Sequence, residues 1–165
     1  MSARPKDRPR IAVDAMGGDE GLAVMLAGVA AARRRYEDVD FILVGDEDAI
    51  RAGLEAHPNL TQHSEVVHAP ETVAGTEKPS AAIRRAKVTS MGLAIDQVKQ
   101  GRAAACVSSG NTGALMAMAK LALRTMPGID RPALAAMLPT LGDTDMVMLD
   151  LGANTECDAK NLTQF

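Results

Sequence analysis

Tryptophan is absent, tyrosine occurs once and phenylalanine twice, so aromatic residues make up only 2% of the 165-residue chain. A core this poor in rings is filled by aliphatic side chains. The 10 methionines, spread through the helical stretches, read as gap fillers and not as a cofactor box. Cysteine is scarce as well. Cys106 and Cys157 stand far apart with no CxxC pairing, which argues against a disulfide framework and a structural zinc site and fits a reducing cytosol. The longest nearly uncharged apolar run, Leu22 to Ala32, falls well short of the ~20 residues a membrane span needs. Within Met1–Arg10 no apolar segment follows the basic residues, so this stretch is not expected to be a secretory signal. Lys and Arg number 18 against 21 Asp and Glu; a net charge of −3 is too mild for disorder and gives no basic excess for nucleic acid. HExxH, GxSxG, a Walker GKS or GKT, GxGxxG and histidine pairs at metal spacing are all missing, so neither a metal nor a cofactor is expected.

What is present is a rhythm. The length suits one compact domain. Met1–Arg10, with two prolines and no apolar periodicity, reads as a flexible leader. Ile11-Ala12-Val13 is a short apolar run closed by Asp14-Ala15-Met16-Gly17-Gly18-Asp19, and Leu22–Tyr36 then reads as a helix with Asp19 as N-cap and Arg33-Arg34-Arg35 against its dipole. The cycle repeats with the run Phe41–Val44, the turn Gly45-Asp46 and a polar helix from Glu47 to about Ala56. A third strand, Glu65–His68, leads into a long segment with a short basic helix, Ala81–Lys87, and a further helix, Gly92–Gln100. Ala103–Val107 is the next buried strand. Thr112–Arg124, apolar nearly all round, is a helix expected to be buried on several sides. Leu134–Leu138 and Met146–Leu151 are two more apolar runs, separated by the turn Gly142-Asp143. Short apolar strands alternating with helices predict an α/β fold, a mostly parallel sheet with helices on both faces. A doubly wound domain does not favour stopping just after a strand and its loop, so residues 11–165 are expected to be the N-terminal portion of a single α/β domain.

In such a sheet ligands bind beyond the carboxyl ends of the strands. Three loops at that edge are unusual. In Asp14–Asp19 the paired glycines Gly17 and Gly18 let the backbone approach a ligand, and the next helix offers free N–H groups to an anion; a plain tight turn is the competing reading. Ser108-Ser109-Gly110-Asn111-Thr112-Gly113 sets short donors and bare amides at a helix start, which phosphate favours; Asn111 or Thr112 serving only as a cap is the alternative. Asp150–Thr155 is a weaker third candidate. Glu77-Lys78-Pro79-Ser80 leads into Arg84, Arg85 and Lys87, a basic patch that suits phosphate or an acidic partner, or simply a solvated face. His57 and His63 look like solvated loop residues, His68 like a satisfied structural group, and Cys106 like an inert core thiol.

Taken in order, Asp14-Ala15-Met16-Gly17-Gly18-Asp19, Lys78-Pro79-Ser80 with Ser90-Met91, Gly110-Asn111-Thr112-Gly113-Ala114-Leu115-Met116 and Leu149-Asp150-Leu151-Gly152-Ala153-Asn154 resemble the phosphate acyltransferase family of bacterial phospholipid synthesis, the PlsX family. The resemblance runs from about Arg10 to Phe165. It implies a Rossmann-like three-layer α/β/α sandwich of the isocitrate dehydrogenase and phosphotransacetylase type. It also implies a cytoplasmic homodimer, peripheral at the inner face of the membrane, that moves a fatty acyl group from acyl carrier protein to inorganic phosphate. Two positions depart from the family pattern: Leu22 replaces a usual proline, and Ser109 stands where alanine is usual. Family members are about twice as long, with further strand-end motifs in the remaining half.

Phosphate attack on a thioester needs an oriented, desolvated nucleophile and donors for the oxyanion, with no covalent intermediate on the protein. On this reading Ser108, Gly110, Asn111, Thr112, Gly113, Gly17 and Gly18 bind phosphate. Asp14 and Asp19 shape the cleft, and Asn111, Asp150 and Asn154 are the catalytic candidates. Lys78, Ser80, Arg84 and Arg85 meet phosphate or the carrier protein. Two other readings remain: acyl transfer from coenzyme A, as in phosphotransacetylases, and an inactive half-domain that binds phosphate or carrier protein.

Overall fold

Apolar runs closed by an acidic residue or a glycine become strands that stop at one common edge. The computed structural model describes residues 8–151 and 156–165. In it β1 (Arg10–Asp14), β2 (Asp40–Gly45), β3 (Ser64–His68) and β4 (Ala105–Val107) form a parallel sheet in the order β3-β2-β1-β4. The register sets Val13 beside Leu43 and Val107, and Ala12 beside Ile42 and Cys106. Alternation then feeds two faces. Val13, Phe41 and Leu43 pack with Leu26, Val29, Ile50, Leu54 and Leu60 from α1 (Gly21–Arg35), α2 (Glu47–Leu54) and α3 (Pro58–Thr61). On the other face Ala12, Ile42 and Val44 meet Ala94 of α5 (Ser90–Lys99). Met91 and Ile95 continue that layer against Ala82 of α4 (Pro79–Arg84) and Ala114 and Met118 of α6 (Thr112–Leu123). Burying Ile42 and Leu43 completely contributes roughly 1.5–3 kcal/mol each. The result is the expected three-layer α/β sandwich.

Local chemistry explains most helix starts. Asp46 caps α2 by accepting from the Ala49 N–H at 3.0 Å, Thr89 caps α5 through the Gly92 N–H at 3.3 Å, and Pro79 opens α4. α1 differs from expectation. Its N-cap is Glu20, with no side-chain cap bond, because the backbone takes positive φ at Gly18 (95°) and Gly21 (78°) and carries Asp19 away from the helix end. Arg10, placed in the leader by the sequence, is already in β1.

Two compact units make up the chain, residues 1–123 and 124–165. In the second, β5 (Ala135–Leu138) and β6 (Met146–Leu149) pair antiparallel as a separate two-stranded ribbon, so these two apolar runs do not extend the parallel sheet. The intervening turn is short enough for a hairpin, whereas a parallel pairing needs a long crossover. The six-residue α7 (Ala159–Gln164) follows, capped reciprocally by Asp158 and Asn161. α6 corrects a further expectation. Only Ala114 and Met118 of it are buried, on the side facing α4 and α5, while Leu121 and Leu123 are 62% and 44% exposed.

Candidate functional site

β1 and β4 end side by side, and their last side chains tie the two loops that follow. Asp14 is 1% exposed, and its Oδ2 accepts from the Ser108 hydroxyl at 2.7 Å. Ser108 Oγ in turn accepts from the Gly110 N–H at 3.1 Å. The Ser108 hydroxyl and the Gly110 amide hold the loop's own shape. Gly17 is required here: a Cβ would stand 2.6 Å from Asp14 Oδ2. Gly18 has φ 95°, and a Cβ on it would lie 2.5 Å from Ser109 Oγ; that hydroxyl donates to the Gly17 carbonyl at 3.0 Å. The Asp14–Asp19 and Ser108–Gly113 loops thus interlock through small residues.

Asn111 is the hub. Its side-chain carbonyl accepts from the Ala114 N–H at 3.0 Å, which makes it the cap of α6. Its side-chain amide donates to the carbonyls of Gly75 and Glu77 at 2.9 Å and of Ala74 at 3.4 Å. Both hydrogens of the Asn111 amide are engaged by these carbonyls. Asn111 holds the loop after β3 against the start of α6. The second motif closes the same assembly: Cβ atoms at Gly113 and Gly110 would lie 3.1 Å from Pro79 Cγ and 3.0 Å from Met91 Cε.

Between these loops lies a cleft of about 540 Å³ beyond the carboxyl edge of the sheet. Met16, Gly18 and Asp19 line one side, Thr72 to Gly75 another, and Ser109 to Gly113 the floor. Asp19 is the single charged side chain among them. At the floor, the Thr112 hydroxyl and the Thr112 and Gly113 amides stand at the positive end of α6. The contributions of Thr72, Ala74 and Gly75 went unread in the sequence; their signal was only that they follow a strand ending at the same edge. Cys106, on the strand leading to the floor, has its thiol pushed up to about 12, by burial first and the Asp14 carboxylate second. It is an inert thiol, as expected.

The basic patch is divided. Arg85 is bound by Glu71 at 2.5 Å and Glu77 at 2.7 Å, bonds that raise its pKa and offset its positive charge. Lys78, the N-cap of α4, and Ser80 and Arg84 within it are exposed. His63 is half-buried between Asp40 (3.0 Å) and Arg8 (3.2 Å), which corrects its reading as a solvated loop residue. Asp150 belongs to the second unit. It takes φ 57°, donates its N–H to the Leu134 carbonyl at 2.6 Å and accepts from Cys157 Sγ at 3.4 Å. Asn154 lies outside the described residues. Among the described residues no helix is long and apolar enough to cross a membrane.

Fold and cleft together define an α/β protein with a small-residue, hydroxyl-bearing recess at a helix start beyond a parallel sheet. Comparison with known proteins narrows this class. The sequence signature of the family described as "Fatty acid synthesis protein" matches residues 9–165. The chain belongs to that family, the one its four motifs resemble. A phosphate acyltransferase of Erythrobacter litoralis is 65% identical over 157 residues, 95% of this chain and 44% of that protein. Phosphate acyltransferases of Rhodospirillum centenum and Rhodospirillum rubrum are 57% and 51% identical over 155 residues each, 94% of this chain and 43% and 44% of theirs. The chain spans less than half the length of these relatives.

Proposed function

We propose that this chain carries the phosphate-binding part of an acyl-carrier-protein:phosphate acyltransferase. The observation that supports it is the convergence of three widely separated motifs on one uncharged, donor-rich floor at the start of α6. Inorganic phosphate sits there on the Thr112 and Gly113 amides and the Thr112 hydroxyl, where the helix end stabilises negative charge. One hydrogenphosphate oxygen forms a bond to the thioester carbonyl carbon and the carbonyl becomes an oxyanion; the carbonyl then re-forms as the C–S bond breaks, and the departing carrier thiolate takes up the proton that the phosphate gives up, leaving acyl phosphate. Asn111 and the Asp14–Ser108 pair fix the floor and make no contact with reacting atoms. Lys78 and Arg84, exposed at the two ends of α4, receive the acidic carrier protein.

The test is thiol release from long-chain acyl carrier protein, with and without inorganic phosphate, with hydroxylamine trapping of the acyl phosphate. Release that needs phosphate supports the reading; release indifferent to phosphate, or a coenzyme A donor accepted better than carrier protein, contradicts it. The chain's 43–45% share of its relatives favours one second reading, in which it binds phosphate but turns over only when the rest of the family's chain is supplied.

A further inference from the structure

The sequence reads Asp19 as a helix cap, and the structure releases it from that duty. Positive φ at Gly18 (95°) and Gly21 (78°) turns the chain so that Glu20 takes the N-cap place of α1. The Asp19 carboxylate stands instead at the cleft. Its Oδ1 lies 3.8 Å from where a Gly75 Cβ would be, and Gly75 lines another side of the same space. The Gly75 carbonyl is held at 2.9 Å by Asn111, the cap of α6. Asp19, the loop after β3 and the start of α6 therefore meet around one recess. Among the described residues Asp19 is exposed and makes neither a hydrogen bond nor an ion pair. No lysine, arginine or histidine among them lines the cleft beside it.

A lone carboxylate beside an anion site is an electrostatic conflict. Two negative groups in contact repel unless a proton or a cation lies between them. Near neutral pH inorganic phosphate still carries a proton, whereas sulfate, of the same shape, carries none. An ionised carboxylate only accepts hydrogen bonds. It takes a short, charge-assisted O–H···O bond from the hydroxyl of hydrogenphosphate and repels an oxyanion that has no hydroxyl to offer. The rest of the lining suits the other phosphate oxygens: the Thr112 hydroxyl and the Thr112 and Gly113 amides donate at the positive end of α6. We propose, on the phosphate reading of this cleft given above, that Asp19 is a specificity-determining residue: its carboxylate accepts the hydrogen bond of the hydrogenphosphate hydroxyl and excludes unprotonated oxyanions such as sulfate. Uncharged donors alone bind either anion; the acceptor makes the choice.

The experiment titrates the ¹⁵N-labelled chain, near neutral pH and at constant ionic strength, with inorganic phosphate, sulfate and monofluorophosphate. The last is a phosphate isostere without a proton under these conditions. Affinity is read from the Thr112 and Gly113 amide shifts. The expected result is phosphate bound at least about tenfold tighter than either of the others. Asp19→Asn, whose amide donates as well as accepts, should bring the three anions within about threefold of one another. Glu20→Gln removes the same charge one residue on, at an exposed position with no side-chain cap bond and outside the cleft lining. It should keep the tenfold preference, with circular dichroism the same for all three chains. Equal binding of the three anions by the unaltered chain overturns the inference while leaving phosphate in the cleft. So does a preference that survives Asp19→Asn, or one that Glu20→Gln also abolishes. Phosphate binding that needs added Mg²⁺ overturns it too, because Asp19 then serves a cation. No shift at Thr112 and Gly113 with any anion overturns the phosphate reading itself, and this inference with it.

Discussion

The two ends of the four-stranded sheet are built from opposite materials. At the amino end long charged side chains bind one another: Arg10 and Arg102 share Glu65, Arg102 also meets Gln97 at 2.8 Å, and Asp40 holds His63 at 3.0 Å and Arg8 at 3.6 Å. At the carboxyl end the connections are made by Asp14, two serines, one asparagine and glycines whose missing Cβ atoms let the loops interlock. The amino-end recess is the larger, about 790 Å³ against about 540 Å³. Volume therefore does not mark the site. What marks it is that the carboxyl end leaves hydroxyls and helix-start amides facing a cleft, while the amino end's charges satisfy each other at the surface.

The largest expected effect comes from behind the carboxyl end. A Cβ on Gly92 would fall on the Ala86 carbonyl, rigid backbone that cannot give way. Gly92→Ala should lower stability by about 3 kcal/mol, seen as an early midpoint in urea unfolding. An unchanged midpoint would show that this support is softer than described. Next is Asn111→Ala, which removes the α6 cap and the donor to the 74–77 carbonyls; a loss of about 2 kcal/mol is expected. Asn111→Asp keeps the cap but loses the donors, so it should recover part of that stability and leave the loop after β3 exchanging faster. At the amino end the expectation is slight. Arg10→Ala, whose pair with Glu65 is exposed on both sides, should cost less than about 1 kcal/mol. A loss comparable to that of Asn111→Ala would erase the contrast between the two ends.

The smallest effect concerns Cys106. With its thiol held at about 12, almost none is thiolate at pH 8, so alkylation by iodoacetamide should be much slower at Cys106 than at exposed Cys157. Asp14 raises that pKa, so Asp14→Asn should lower it and speed labelling at a fixed alkaline pH. A slower rate would contradict the placement of the carboxylate beside the thiol.

Much of this was readable because it is local. The runs around Val13 and Leu43 show buried strands by their own composition, and Pro79 and Asp46 mark helix starts by their own chemistry. The clustering of glycine and hydroxyl residues at 108–113 marks a loop that lines the cleft. What the loop's residues do was not readable. Asn111 finds its acceptors more than thirty residues earlier in the chain, and Arg85 is held between Glu71 and Glu77, pairings that exist only once β3 and α4 are docked. Asp19 failed as a cap because positive φ at Gly18 and Gly21 moved the start of α1. The turn at Gly142-Asp143 was visible, yet equal apolar runs on either side carry no sign of strand direction, and the antiparallel ribbon emerged only from the fold.

The most direct test of the contrast is a titration of the ¹⁵N-labelled chain with inorganic phosphate, followed amide by amide. The account predicts saturable shifts at Gly18, Thr112 and Gly113, with Arg10, Arg102 and their neighbours unmoved. Shifts confined to the arginines of the amino end, or none at the start of α6 at saturating phosphate, would contradict it.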